Sequence, residues 1–114
     1  MRWNTLEEPS QIALIREESF EQPICIFKHS TRCSISSMAK FRLEGDWDFS
    51  EDKLKPYLLN VIQNRNLSLQ IADDFQVHHE SPQLLLIRDG ECTYEESHLD
   101  ISVEELHECY DSKF

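Results

Sequence analysis

The sequence has no C-x-x-C pair, no long apolar run and few cations. Its 114 residues carry 11 Lys and Arg against 22 Asp and Glu, a formal net charge of −11. Affinity for nucleic acid rests largely on Lys and Arg neutralising phosphates, so a polyanion partner is not expected. No apolar stretch approaches the roughly 20 residues that span a bilayer, and the opening Met-Arg-Trp-Asn-Thr-Leu-Glu-Glu has no apolar core of a secretory signal. The expectation is a cytoplasmic protein with neither a nucleic-acid nor a membrane partner. Cys25, Cys33, Cys92 and Cys109 lie 8, 59 and 17 residues apart. In a reducing compartment such spacing reads as free thiols, of which at most one or two do chemistry.

One absence is local. Residues 22–43 contain no carboxylate but four fixed cations, Lys28, Arg32, Lys40 and Arg42. Within this window Ile24-Cys25-Ile26-Phe27-Lys28 is a short apolar run suited to a strand buried on both faces. Small polar residues follow, then Cys33, then Ile35, Met38 and Ala39 at helical spacing. The pattern is strand, turn, helix, with Cys33 at the helix start. Unpaired backbone N–H groups and the positive end of the helix dipole there favour a thiolate. The competing reading is a buried structural thiol, since free Cys is among the most buried residue types.

The remaining elements follow in order. Trp3 and Leu6 suggest an extended lead-in, and Pro9 with Ile12, Ala13 and Ile15 predicts a helix over 9–19. The helix from Cys33 is expected to stop at Gly45, with Trp47, Phe49 and Leu54 pinning the loop that follows. Residues 56–62 read as a second buried strand, and Asn64 or Asn66 as the cap of a helix carrying Leu67, Ile71 and Phe75. Asp89-Gly90 between 84–88 and 92–96 predicts a two-residue hairpin. Ser102-Val103-Glu104-Glu105 is a capping box, with Ile101 and Leu106 as its hydrophobic staple, opening a last helix over 103–110.

This order predicts one α/β domain over residues 1–114, a central mixed β-sheet flanked by helices on both faces. It is the thioredoxin-like arrangement, which places a cysteine at the helix after the first long strand and a proline, here Pro82, before the hairpin. The chain resembles the monothiol bacilliredoxin family, the bacillithiol-system redox-active proteins. The resemblance is carried by Phe27-Lys28-His29-Ser30-Thr31-Arg32-Cys33-Ser34-Ile35-Ser36, by Asn64-Arg65-Asn66-Leu67-Ser68, and by His79-Glu80-Ser81-Pro82-Gln83 with Asp89-Gly90 downstream. It departs from the family at Ser34, where a proline is usual.

The resemblance implies a cis Ser81–Pro82 bond facing Cys33, and a monothiol thiol–disulfide oxidoreductase with Cys33 as its nucleophile. Ser36 has no sulfur with which to expel an adduct, and Cys25, Cys92 and Cys109 read as structural and remote. The implied activity removes a low-molecular-weight thiol, bacillithiol, from S-thiolated client proteins, with no bound cofactor. Lys28, His29, Thr31, Arg32, Ser34 and Ser36 around the cysteine, with Ser81 and Pro82 opposite, are the candidate substrate-binding or tuning residues; Arg32 is the expected contact for the anionic thiol. Two other readings stay open: an iron–sulfur carrier of the monothiol-glutaredoxin type, although the C-G-F-S motif is missing, and a non-catalytic thioredoxin-like binding module. His29, His78 and His79 suggest no metal site, because adjacent residues on an extended chain point to opposite sides.

Overall fold

Every residue from Ile24 to His29 is buried, as expected of a strand covered on both faces. The computed structural model, which describes residues 1–112, places this strand at the centre of a five-stranded sheet. The elements are β1 (Asn4–Thr5), α1 (Ser10–Glu18), β2 (Ile24–His29), α2 (Ser34–Asp46), β3 (Lys55–Asn60), α3 (Arg65–Asp74), β4 (Gln83–Arg88), β5 (Glu91–Ser97) and α4 (Val103–Asp111). The strand order is β1-β3-β2-β4-β5. β2 runs parallel to β3 and antiparallel to β4.

The alternation of β2 divides the core into two layers. Ile24 and Ile26 pack with Ile12 and Ile15 of α1 and with Leu67, Ile71 and Phe75 around α3. Cys25 and Phe27 pack on the opposite face with Ala39 and Leu43 of α2 and Val103 and Leu106 of α4. Trp3 closes the edge of this second layer, stacked on Phe27 at 5.8 Å between ring centroids.

Local chemistry sets the element ends. Asp89 and Gly90 take φ values of +54° and +80°, the left-handed pair that a two-residue hairpin requires. Ser102 Oγ accepts from Glu105 N at 3.1 Å and caps α4, while Ile101 and Leu106 are fully buried beside it.

Three boundaries differ from expectation. α2 passes through Gly45 to Asp46 and ends only at Trp47, which is captured between Trp3 and Phe49 at centroid distances of 6.4 and 5.2 Å. β3 ends at Asn60 rather than residue 62, because the Asn60 carboxamide oxygen accepts from Ile62 N at 3.0 Å and turns the chain. Asn64 occupies the residue before α3, but its side chain donates back to Asn60 O at 3.3 Å instead of capping the helix. Among the described residues no helix is long and apolar enough to cross a membrane.

Candidate active site

At the end of β2 the pleat sends two consecutive polar side chains to opposite faces. Lys28 turns toward α3 and is fully buried, its Nζ donating to Ser68 O at 2.9 Å. His29 turns toward α2, where its Nδ1 lies 2.6 Å from Ser36 Oγ. Ser36 is itself fully buried, and its hydroxyl oxygen also accepts from Ser30 N at 2.9 Å.

These bonds fold Ser30, Thr31 and Arg32 into a tight turn, closed by Cys33 N donating to Ser30 O at 3.2 Å. Cys33 then stands directly before α2 with an extended backbone, φ −111° and ψ 121°, and its carbonyl accepts from Ser37 N at 3.1 Å. The sulfur is thus carried by the residue that opens the helix. The residue is half-buried.

Cys33 lines an open groove of 430 Å³ at the C-terminal ends of β2 and β3. Ser30 shares its wall from the β2 side, and Val61 and Ile62 contribute apolar surface after β3. Arg65 reaches it from the start of α3, and His79 and Ser81 line it from the segment before β4. The Ser81–Pro82 peptide bond is cis. Pro82 is buried behind it and its carbonyl accepts from His98 N at 3.0 Å.

The family model for the monothiol bacilliredoxin BrxC matches residues 4–106. The chain belongs to the monothiol bacilliredoxin family. A solved structure with a thioredoxin fold is 31% identical, with a TM-score of 0.78, covering 94% of this chain and 92% of that one. The thioredoxin of Malassezia sympodialis aligns at 15% identity and TM-score 0.72, over 96% of this chain and 88% of its own. Thioredoxin f2 of Chlamydomonas reinhardtii aligns at 12% identity and TM-score 0.69, over 94% and 92%. The fold is that of thioredoxin, and this bacilliredoxin is a thiol–disulfide oxidoreductase.

Of the residues singled out in the sequence, the groove brings together Cys33 and Ser81. Thr31, Arg32 and Ser34 are exposed on the turn and helix start but do not line the groove. Lys28, His29 and Ser36 are buried and do not line the groove. Burial, and then the nearby Lys40 ammonium, holds His29 below its ordinary pKa, against the opposing pull of Glu44.

The carboxylate-free window also disperses in three dimensions. Lys40 pairs with Glu44 at 2.8 Å, and Arg42 donates to Leu99 O and Ile101 O. The cation of the groove is Arg65, which charge counting along the chain did not single out. Its signal was present in the Asn64-Arg65-Asn66 block. Among the described residues no group of three or more His, Cys, Asp or Glu side chains is placed to hold a metal ion.

Ser36 takes the place at which two-cysteine relatives carry their second sulfur, yet here it works as a brace. Ser36→Ala leaves the half-buried Ser30 N–H and the buried His29 Nδ1 without their partner. The expected cost is about 1–3 kcal/mol of stability, read as a lower denaturant midpoint, with Cys33 chemistry retained. An unchanged midpoint would show that the brace carries no load.

Proposed function

We propose that this monothiol bacilliredoxin removes bacillithiol from S-thiolated client proteins through Cys33. The carrying observation is a half-buried cysteine at a helix start in an open groove, with a hydrogen-bonded serine where a second sulfur would stand. Cys33 attacks the bacillithiol sulfur of the mixed disulfide, the client leaves as its thiol, and Cys33 retains the adduct. A second bacillithiol then attacks the adduct, leaving as bacillithiol disulfide and restoring Cys33.

The groove suits both halves of that substrate. Arg65 offers a cation for the anionic malate of bacillithiol, and Val61 and Ile62 offer apolar surface to a client. Ser81, whose peptide bond to Pro82 is cis, lines the same groove, and its main chain is the candidate partner for an extended client segment. All four cysteines are free, which supports a reducing, cytoplasmic setting.

Mass spectrometry after separate exposure to the disulfides of bacillithiol, glutathione and coenzyme A tests the substrate. The expected result is one adduct on Cys33, formed fastest with bacillithiol and discharged by reduced bacillithiol. An equal rate with all three would overturn the choice of thiol. An adduct on a different cysteine would overturn the choice of sulfur.

A further inference from the structure

The groove contains one side chain, besides Cys33 and the permanently charged Arg65, that can exchange a proton: His79. Its Nε2 lies 3.0 Å from the hydroxyl of Ser68, a fully buried residue of α3. One ring nitrogen is thereby pinned, and among the described residues Nδ1 has no hydrogen-bond partner. Ser68 also accepts Lys28 Nζ on its carbonyl, so a buried ammonium and the groove imidazole meet at one residue.

We propose that His79 carries the proton during thiol exchange at Cys33, with Ser68 positioning the ring. This rests on the exchange reading given above. The charged and titratable groups around His79 are Lys28 from β2, Arg65 from α3, Cys33 across the groove, and His78 and Glu80 beside it in the chain. Burial, then Lys28, then Arg65 hold its pKa below the ordinary 6.5, while Glu80 pulls the other way. Near pH 7 the imidazole is therefore neutral, the form that accepts a proton.

The step balances without any outside oxidant. Nδ1 takes the proton from Cys33 Sγ, and the sulfur's electron pair forms a bond to the small-thiol sulfur. The old disulfide breaks, its electron pair stays on the client sulfur, and the imidazolium returns the proton there. One disulfide is consumed and one is made. In the second half the incoming small thiol gives its proton to His79, and the departing Cys33 sulfur collects it.

The alternative is that His79 merely ties the loop before Pro82 to α3, and His79→Gln separates the two because glutamine can keep the bond to Ser68. Two disulfides serve as probes, a bacillithiolated peptide and uncharged dithiodipyridine, with rates followed from pH 6 to pH 9.5. The expected deficit of His79→Gln near pH 7 is on the order of 100-fold, the low end for acid–base catalysis. It closes at high pH, where hydroxide takes over the role of the base. An equal deficit at every pH, or none, overturns the proposal.

Lys28→Met gives an independent reading by NMR titration of the His79 ring. The pKa should rise toward the ordinary value once the ammonium is gone, and an unmoved titration removes Lys28 from the scheme. If wild type reacts with dithiodipyridine but not with the bacillithiolated peptide, the substrate assignment fails. A pH-dependent His79 deficit with dithiodipyridine would then still uphold the proton carrier.

Discussion

Cys33→Ser reduces release of free thiol from a bacillithiolated client to the uncatalysed rate, whereas Cys25→Ala, Cys92→Ala and Cys109→Ala stay near wild type. A serine hydroxyl does not ionise near neutral pH, so the variant has no nucleophile to offer. The other sulfurs cannot replace it, for reasons visible at each position. Cys25 is fully buried in the second core layer, and burial pushes its thiol far above the ordinary range. Burial pushes the Cys92 thiol up to about 11, and its sulfur is spent on Tyr94 O at 3.2 Å. Cys109 is raised by burial and then by the carboxylates of Glu105, Glu108 and Glu96.

All three thus hold their protons where exchange needs a thiolate. The measurement is the appearance of client thiol in single turnover. Comparable loss in any of the other three variants would show that a second sulfur takes part. With Ser36 unable to displace the adduct, full turnover by wild type should also rise in first order with bacillithiol.

The order of elements was readable because each rested on a periodicity or a turn chemistry with one solution. Asp89-Gly90 demanded a left-handed turn, and Ser102-x-x-Glu105 demanded a helix start. The ends of α2 and β3 were less legible because they are decided at a distance. Trp47 reaches across to Trp3, and the Asn60 side chain competes with the ladder for the next amides.

Within the site, Cys33 and Ser81 could be placed from motif and fold alone. Counting charge along the chain misled, since it treats every cation of the window as facing the same solvent. Strand parity already contained the correction: Lys28 falls two residues after Ile26 and four after Ile24, on the face that both isoleucines bury. Arg65 escaped notice for the converse reason, being brought to the groove by the β3–α3 turn rather than by any nearness in sequence to Cys33.

Lys28 gives stability a large expected rise with pH. Its ammonium is buried with one hydrogen bond, to Ser68 O, and burial lowers its pKa from 10.5 to about 8. Between those values the unfolded chain holds one more proton than the folded one, so this group makes stability rise with pH across that window. Below pH 8 both states are charged and the fold bears the full cost of the buried ammonium. Above 10.5 both are neutral and the cost is gone. At ~1.4 kcal/mol per pH unit, the swing is about 3 kcal/mol.

Wild type alone does not display that swing, because Cys25, Cys92, Tyr57 and Tyr94 are raised by burial and keep their protons in the fold. Their contributions have the opposite sign and are lost as pH climbs through their ordinary values of 9.0 and 10.0. The difference between Lys28→Met and wild type isolates the lysine. Met also forfeits the bond to Ser68 O, a constant offset that leaves the slope untouched. Denaturant midpoints taken from pH 7 to pH 10.5 should show the variant's stability relative to wild type falling by about 3 kcal/mol across the window. A gap that stays constant would mean that no buried ammonium is discharged there. A lysine held at such cost beneath the groove is explained by what its charge does to the imidazole bonded to the same serine, and the slope of this profile measures that charge directly.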